Sequence, residues 1–362
     1  MSGSSVDDFF SRQAQEARGP ESERRAGRRT RPSKLLRRVA LATTIVVVLG
    51  AGVVVGGGYL AVNHLASSVQ RIQGIAALDA ASQSVMPAAT RKSLTVLLTS
   101  SPTRPAEVGG RGVDGSSPRP EALSGLISLV HLNANNHGGG LVSIPADTVV
   151  DVPGHGRIEL WSTLGIGGPS LLIKAVEHLT NVRISHYSVL DFAGAVKVIG
   201  AMGGVNVDVP DTFTSDGHSF PAGVNHLTAE DALAYVKQAD VSEVVRTELQ
   251  QNLIRAMLDK IAHGRLLAHI SSDFSLLRAI TGALSVDSNF SNSQLESLAL
   301  RVGKLPASAG NFITAPTSLA PGTGPVFLNK VISRALWRAI RNDSLAAFAR
   351  RFPSTVTPGA PA

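Results

Sequence analysis

Arg246 and Gln250 stand four residues apart in a stretch, 242–263, whose apolar residues Val245, Leu249, Leu253, Met257 and Ile261 repeat at helical spacing. On a helix such a pair shares one face, so both side chains can point at the same ligand. A second polar group lies where an apolar run ends. Leu141-Val-Ser-Ile-Pro145 reads as a buried strand, and Ala146, Asp147 and Thr148 follow at its exit. A third follows Leu94–Leu98, where Thr99 to Arg104 form a polar loop at a strand's C-terminal end. Ligands in open α/β sheets bind at such ends. Other chemistries find little support. His131, His155, His186 and His226 show no metal-ligand spacing and read as structural histidines. Ser100, Ser101 and Ser143 have no visible base partner for a hydrolase triad. Cysteine is absent, which excludes disulfides and thiolate metal sites.

These groups need a scaffold, and the order of elements supplies one. Strands are expected over 93–98, 126–132, from Leu141 and over 186–190, with another over 311–315. Pro169 after Gly167-Gly168 opens a helix to about Asn181, since a proline at the first helical position gives up only an unpaired N–H. Asp191 is placed to cap a helix through Met202, which Gly203-Gly204 ends. Val205–Val209 alternates as a half-buried strand, and Thr228 with Asp231 forms a capping box. An amphipathic stretch near 293–302 and a helix near 329–342 follow. Such alternation predicts an α/β domain with a mixed central sheet flanked by helices on both faces.

The net charge of +7 is concentrated at one end. Residues 1–38 hold ten Lys/Arg against five Asp/Glu, whereas the rest of the chain holds 24 against 22. That tail is too polar to offset its chain entropy and is expected to be disordered. Residues 39–62 carry no charge, and as a helix these 24 residues reach roughly 36 Å, enough for a hydrocarbon core of about 30 Å. They read as one uncleaved transmembrane helix rather than a signal peptide. Arg37 and Arg38 flank its N-terminal side, so the positive-inside bias puts the tail in the cytoplasm and the rest outside the cell membrane. Residues 63–92 are expected to form a stalk or linker helix, 93–345 the extracytoplasmic domain, and 346–362 a loose tail. Arg outnumbers Lys, and Ala, Gly and Val abound, as in proteins of GC-rich bacteria. A DNA-binding role for the basic tail lacks a helix-turn-helix or aromatic interleaving, so no nucleic-acid partner is expected.

Read together, Leu141-Val-Ser-Ile-Pro-Ala-Asp-Thr148, Gly156-Arg-Ile158, Gly167-Gly-Pro169, His186-Tyr-Ser-Val-Leu-Asp-Phe192, Met202-Gly-Gly-Val-Asn-Val-Asp-Val-Pro210, His226-Leu-Thr-Ala-Glu-Asp-Ala-Leu-Ala-Tyr-Val236 and Arg246-Thr-Glu-Leu-Gln-Gln251 resemble the LytR-CpsA-Psr family over about residues 93–345. The resemblance implies a cell-envelope protein whose relatives move glycopolymers from polyprenyl pyrophosphate onto peptidoglycan. Such chemistry uses arginines, a lysine and a magnesium ion held by aspartates. On the positions that match, it implies pyrophosphate contacts for Arg246, Gln250, Arg157, Lys237, Arg104 and Asp147. Other positions depart from the family pattern. Pro102 and Gly125 stand at the metal aspartates; Leu123, Ala146, Ala239 and Leu249 at arginines; and Glu159 at an asparagine. A charged hydrogen bond contributes about 1.5–3 kcal/mol, so losing four arginines strips most of the phosphate affinity. Without the aspartates, magnesium loses its evident ligands, although Asp114 and Arg119 in the preceding loop could replace lost groups. The expectation is a non-catalytic or weakly active member that binds polyprenyl-linked glycan or peptidoglycan, or modulates a paralogous envelope protein. The alternative is an active phosphotransferase with a rearranged site.

Overall fold

The computed structural model describes residues 69–78, 93–101, 125–135, 138–238, 241–263, 279–295, 310–318 and 325–357. The proposed membrane span, the 1–38 tail, Arg104, Asp114, Arg119 and most of the amphipathic 293–302 stretch lie outside them. Among the described residues no helix is long and apolar enough to cross a membrane.

The chain order is β1 (Gln70–Ile72), β2 (Leu94–Ser101), β3 (Ile127–Leu132), β4 (Gly139–Ser143), β5 (Val149–Val152) and β6 (Gly156–Glu159), then α1 (Ser162–Thr180) and β7 (His186–Asp191). There follow α2 (Phe192–Ala201), β8 (Val205–Val209), β9 (Phe213–Ser215), β10 (His218–Phe220), β11 (Gly223–Leu227), α3 (Ala229–Val236) and α4 (Glu243–His263). The last elements are β12 (Leu284–Asp287), β13 (Gly310–Thr314), α5 (Lys330–Arg341) and α6 (Leu345–Arg351). Seven strands form a mixed sheet in the order β1-β12-β7-β2-β3-β4-β13. β2, β7, β4 and β13 run one way, because β2 pairs parallel with β7, β4 with β13, and β3 runs antiparallel between β2 and β4. Their C-terminal ends therefore share one edge.

Alternation along the strands builds two cores. In β2, Val96 and Leu98 face α2, α3 and α4, while Leu97 faces α1, α5 and α6. Both sheet faces are thus covered, as expected for strands that read as near-continuous apolar runs. The caps follow their sequence signals. Asp191 accepts the Ala193 N–H at 3.0 Å, Thr228 and Asp231 form the reciprocal box, and Gly203 and Gly204 take positive φ after α2. α2 also needs Gly194, since a Cβ there would lie 2.5 Å from the Ala283 Cα. Gly194→Ala is expected to lower the unfolding free energy by about 1–3 kcal/mol despite alanine's better helix propensity, a loss read from the urea midpoint.

Two expectations are corrected. Residues 70–72, within the stretch expected to be a stalk helix, form an edge strand paired parallel with β12. Their loosely helical spacing was outweighed by an open sheet edge, to which Ile72 O also accepts the Ser288 N–H at 3.0 Å. The C-terminal stretch after 345 is ordered through Thr357: α6 packs Phe348 into the core, and Thr357 N–H donates to Phe312 O at 3.0 Å. Val205–Val209 is a half-buried strand as its alternation indicates, and it pairs with β11 in a separate two-stranded ribbon.

Candidate anion site at the sheet edge

The strand exit at Pro145–Thr148 lies on the shared C-terminal edge, beside the entry to β3. Ile144 N–H donates to Ile127 O at 2.8 Å, and Leu126 N–H to the Ser100 hydroxyl at 2.9 Å. Beneath the exit, Ser128 and Ser143 sit opposite each other with hydroxyls 2.7 Å apart, and Thr314 is in register with Ser143. All three are buried. Ala146 is wholly buried, its carbonyl accepting the Trp161 N–H at 3.0 Å where the chain turns into α1.

α4 begins over this exit and brings in a residue that sequence reading missed. The Glu243 side chain is 2% exposed, and its Oε2 lies 2.8 Å from Arg246 Nη1. Its other oxygen is 3.4 Å from the Ala146 N–H. Arg246 also donates weakly to Gln238 O from Nε and Nη2, at 3.4 and 3.3 Å, so the end of α3 closes on the same guanidinium. Opposite charges three apart in a first helical turn were the available signal, and that spacing is ordinarily a surface pair. Here the pair is nearly dry.

The six predicted residues are brought together only in part. Arg246 and Asp147 flank the exit, and Lys237 ends α3 next to Gln238. Gln250 lies one turn beyond Arg246 and is buried at 4% exposure, so it belongs to the interior rather than to an open helix face. Arg157 is exposed on β6, its Cζ 5.7 Å from the Phe327 ring centroid. Arg104 lies outside the described residues. At the substituted positions, Glu159 accepts the Trp161 indole N–H at 2.7 Å, Leu249 is buried in the core, and Gly125 brings no side chain to the edge.

Magnesium needs several oxygen ligands in a regular shell. Of the described carboxylates near the edge, Glu243 is committed to Arg246 and Asp191 caps α2, which leaves Asp147 short of a full shell. Among the described residues no three His, Asp or Glu side chains converge as a ligand set. The described donors therefore do not fit a magnesium site.

On the next turn of α4, burial pushes the Glu248 carboxyl above its ordinary pKa. A carboxyl raised in the folded state contributes stability that is full below its unfolded pKa and lost as pH rises through the folded one. Glu248→Gln is therefore expected to raise the urea midpoint relative to wild type near neutral pH, with the gain shrinking as pH falls toward about 4 and gone below it.

The Glu243–Arg246 pair at the start of α4 thus stands over the strand exit, with the three hydroxyls buried beneath it. The LytR_cpsA_psr family model matches residues 61–314. A polyisoprenyl-teichoic acid–peptidoglycan teichoic acid transferase, TagU, of Enterococcus faecalis is 30% identical over 183 residues, 49% of this chain and 59% of that protein. Its Bacillus anthracis namesake is 31% identical over 141 residues, 38% and 46% of the respective chains. The chain thus spans about half the length of the curated relatives it matches. The fold is shared with TagV of B. subtilis (TM-score 0.55, 20% identity, 70% of this chain and 97% of that one). It is shared also with a LytR-Csp2A-Psr enzyme from Actinomyces oris (TM-score 0.52, 21% identity, 70% and 90%). The chain belongs to the LytR-CpsA-Psr family.

Proposed function

We propose that the chain is a single-pass, extracytoplasmic family member that binds polyprenyl-phosphate-linked glycan at the C-terminal edge of its sheet and transfers it weakly or not at all. In this reading residues 39–62 anchor the protein in the cell membrane, residues 1–38 remain cytoplasmic, and the bound glycan or an active paralogue is its partner in wall assembly. One observation carries it: at the strand exit Arg246 is already paired with the buried Glu243, and Ala146 brings no cation there. A pyrophosphate leaving group gathers charge that preorganised cations must meet, and a guanidinium held by a buried carboxylate meets little of it. Binding asks for less. A ligand that draws Arg246 partly away from Glu243 still gains a charge-assisted hydrogen bond.

Polyprenyl phosphate is expected to raise the melting temperature of the purified protein, by a margin growing with ligand concentration, and Arg246→Ala to remove most of that shift. No shift in the wild-type protein would count against binding at this edge. The second reading is an active phosphotransferase with a rearranged site. It is favoured by the teichoic acid transferases among the relatives and by the retention of Asp147, Arg246 and Gln250. In that case Asp114 or Arg119 would supply part of what the strand exit lacks.

A further inference from the structure

The two ends of the sheet fix which way its C-terminal edge points. At one end, β1 runs antiparallel to β7 through β12: Gln70 is in register with Ser285, and Ser285 with Val189, two residues before β7 ends. The chain therefore enters the sheet on the edge where β2, β4, β7 and β13 finish. β1 is fastened at its far end, because the Arg71 guanidinium donates to Phe290 O and to the Asn292 side chain in the segment that follows β12. Only residues 63–69 separate β1 from the proposed membrane span, and fully extended they reach about 25 Å. That corner is held close to the bilayer.

At the other end, the exposed apolar side chains collect on the same edge. Val326 bridges Thr148 just past β4, Leu328 bridges Thr317 just past β13, and Asn329 N–H donates to Pro316 O at 2.8 Å. Phe327 and the start of α5 thus sit on this edge, as does the start of α1 through the Trp161–Ala146 bond. The four large apolar residues exposed among those described are Ile166 (46%), Phe327 (38%), Val331 (78%) and Val224 (63%). The first three lie on these segments. Arg157, over the Phe327 ring, and the exposed Lys330 and Arg334 supply cations beside them. Apolar and aromatic side chains mixed with Arg and Lys suit a membrane interface, where cations are drawn to anionic lipid.

We propose that the Phe327–Val331 rim is a docking surface for the anionic bilayer that carries the chain's own anchor. The strand-exit site then opens toward that membrane. This rests on residues 39–62 being a membrane span. A tether at one corner and an interfacial rim at the other leave the domain one orientation, site edge down. A headgroup-linked anion reaches Arg246 without leaving its leaflet.

The natural chain has no cysteine, so single-cysteine variants label cleanly. Full-length protein carrying a fluorophore at Val331→Cys, or at His178→Cys near the opposite end of α1, is reconstituted into phosphatidylcholine–phosphatidylglycerol vesicles doped with a shallow nitroxide lipid. The Val331 label is expected to be quenched about twofold or more over the His178 label, since interfacial groups sit roughly 5–10 Å into the headgroup boundary. Phe327→Asp is expected to reduce that difference. Equal quenching at both positions in protein that resists carbonate extraction overturns the docking surface alone. Release by carbonate overturns the anchor and the docking surface together. Neither outcome depends on whether the edge binds polyprenyl phosphate.

Discussion

Glu243→Ala is expected to lower the unfolding free energy by about 3–5 kcal/mol, the usual cost of removing one partner from a buried ion pair. The Glu243 side chain is 2% exposed and that of Arg246 14%, so the substitution leaves a cation in a site with little water to replace its partner. It also removes an acceptor from the buried Ala146 N–H. Glu243→Gln is the sharper variant. It keeps the shape and an oxygen for one donor, so about 1–3 kcal/mol of stability is lost. It frees the Arg246 charge for a ligand, and polyprenyl phosphate is expected to bind roughly tenfold tighter, equivalent to about 1.4 kcal/mol. Denaturant unfolding reads the first effect and ligand-dependent melting the second. If Glu243→Gln weakens binding, Glu243 aids the ligand and does not compete with it.

The other large effect is at the far side of the sheet. Asp287 is 1% exposed and accepts the Tyr187 N–H at 3.0 Å and the Asn289 N–H at 2.9 Å. It also lies 3.1 Å from His186 Nδ1, whose ring stacks on Phe290. Asp287→Ala strands the Tyr187 N–H and the His186 nitrogen in the interior at once, an expected loss of about 3 kcal/mol. Asp287→Asn keeps an oxygen for one backbone donor and is expected to cost less. Because Asp287 ends β12 beside β1, Asp287→Ala should also speed amide exchange in residues 70–72 before the global transition. Uniform exchange across the sheet would show that β1 is not specially held there.

The sequence was most legible where one local rule decides. The strands from Leu94, Ile127, Leu141 and His186 are apolar runs, and the sheet buries them on both faces. Thr228 with Asp231, and Asp191 before Phe192, each cap the helix their spacing announces. What depended on distant partners was harder to read. Gln70–Ile72 is three residues long and has no strand pattern of its own; it is a strand because β12 leaves an edge open. Residues 346–357 looked like part of a loose tail because their partners, Gln251 and Phe312 among them, are supplied by packing. At the site, spacing placed Arg246 on a face with Gln250. It could not show that Glu243 would be drier than Arg246, or that Gln250 would turn inward. The charge balance at the edge was set by tertiary burial, which no periodicity encodes.

The most direct test of the account is phosphate release from polyprenyl pyrophosphate by the purified protein with magnesium. The Glu243-sequestered Arg246 and the buried Ala146 predict release no faster than that of Arg246→Ala, alongside saturable binding of the lipid. Sustained turnover that Arg246→Ala abolishes would contradict it.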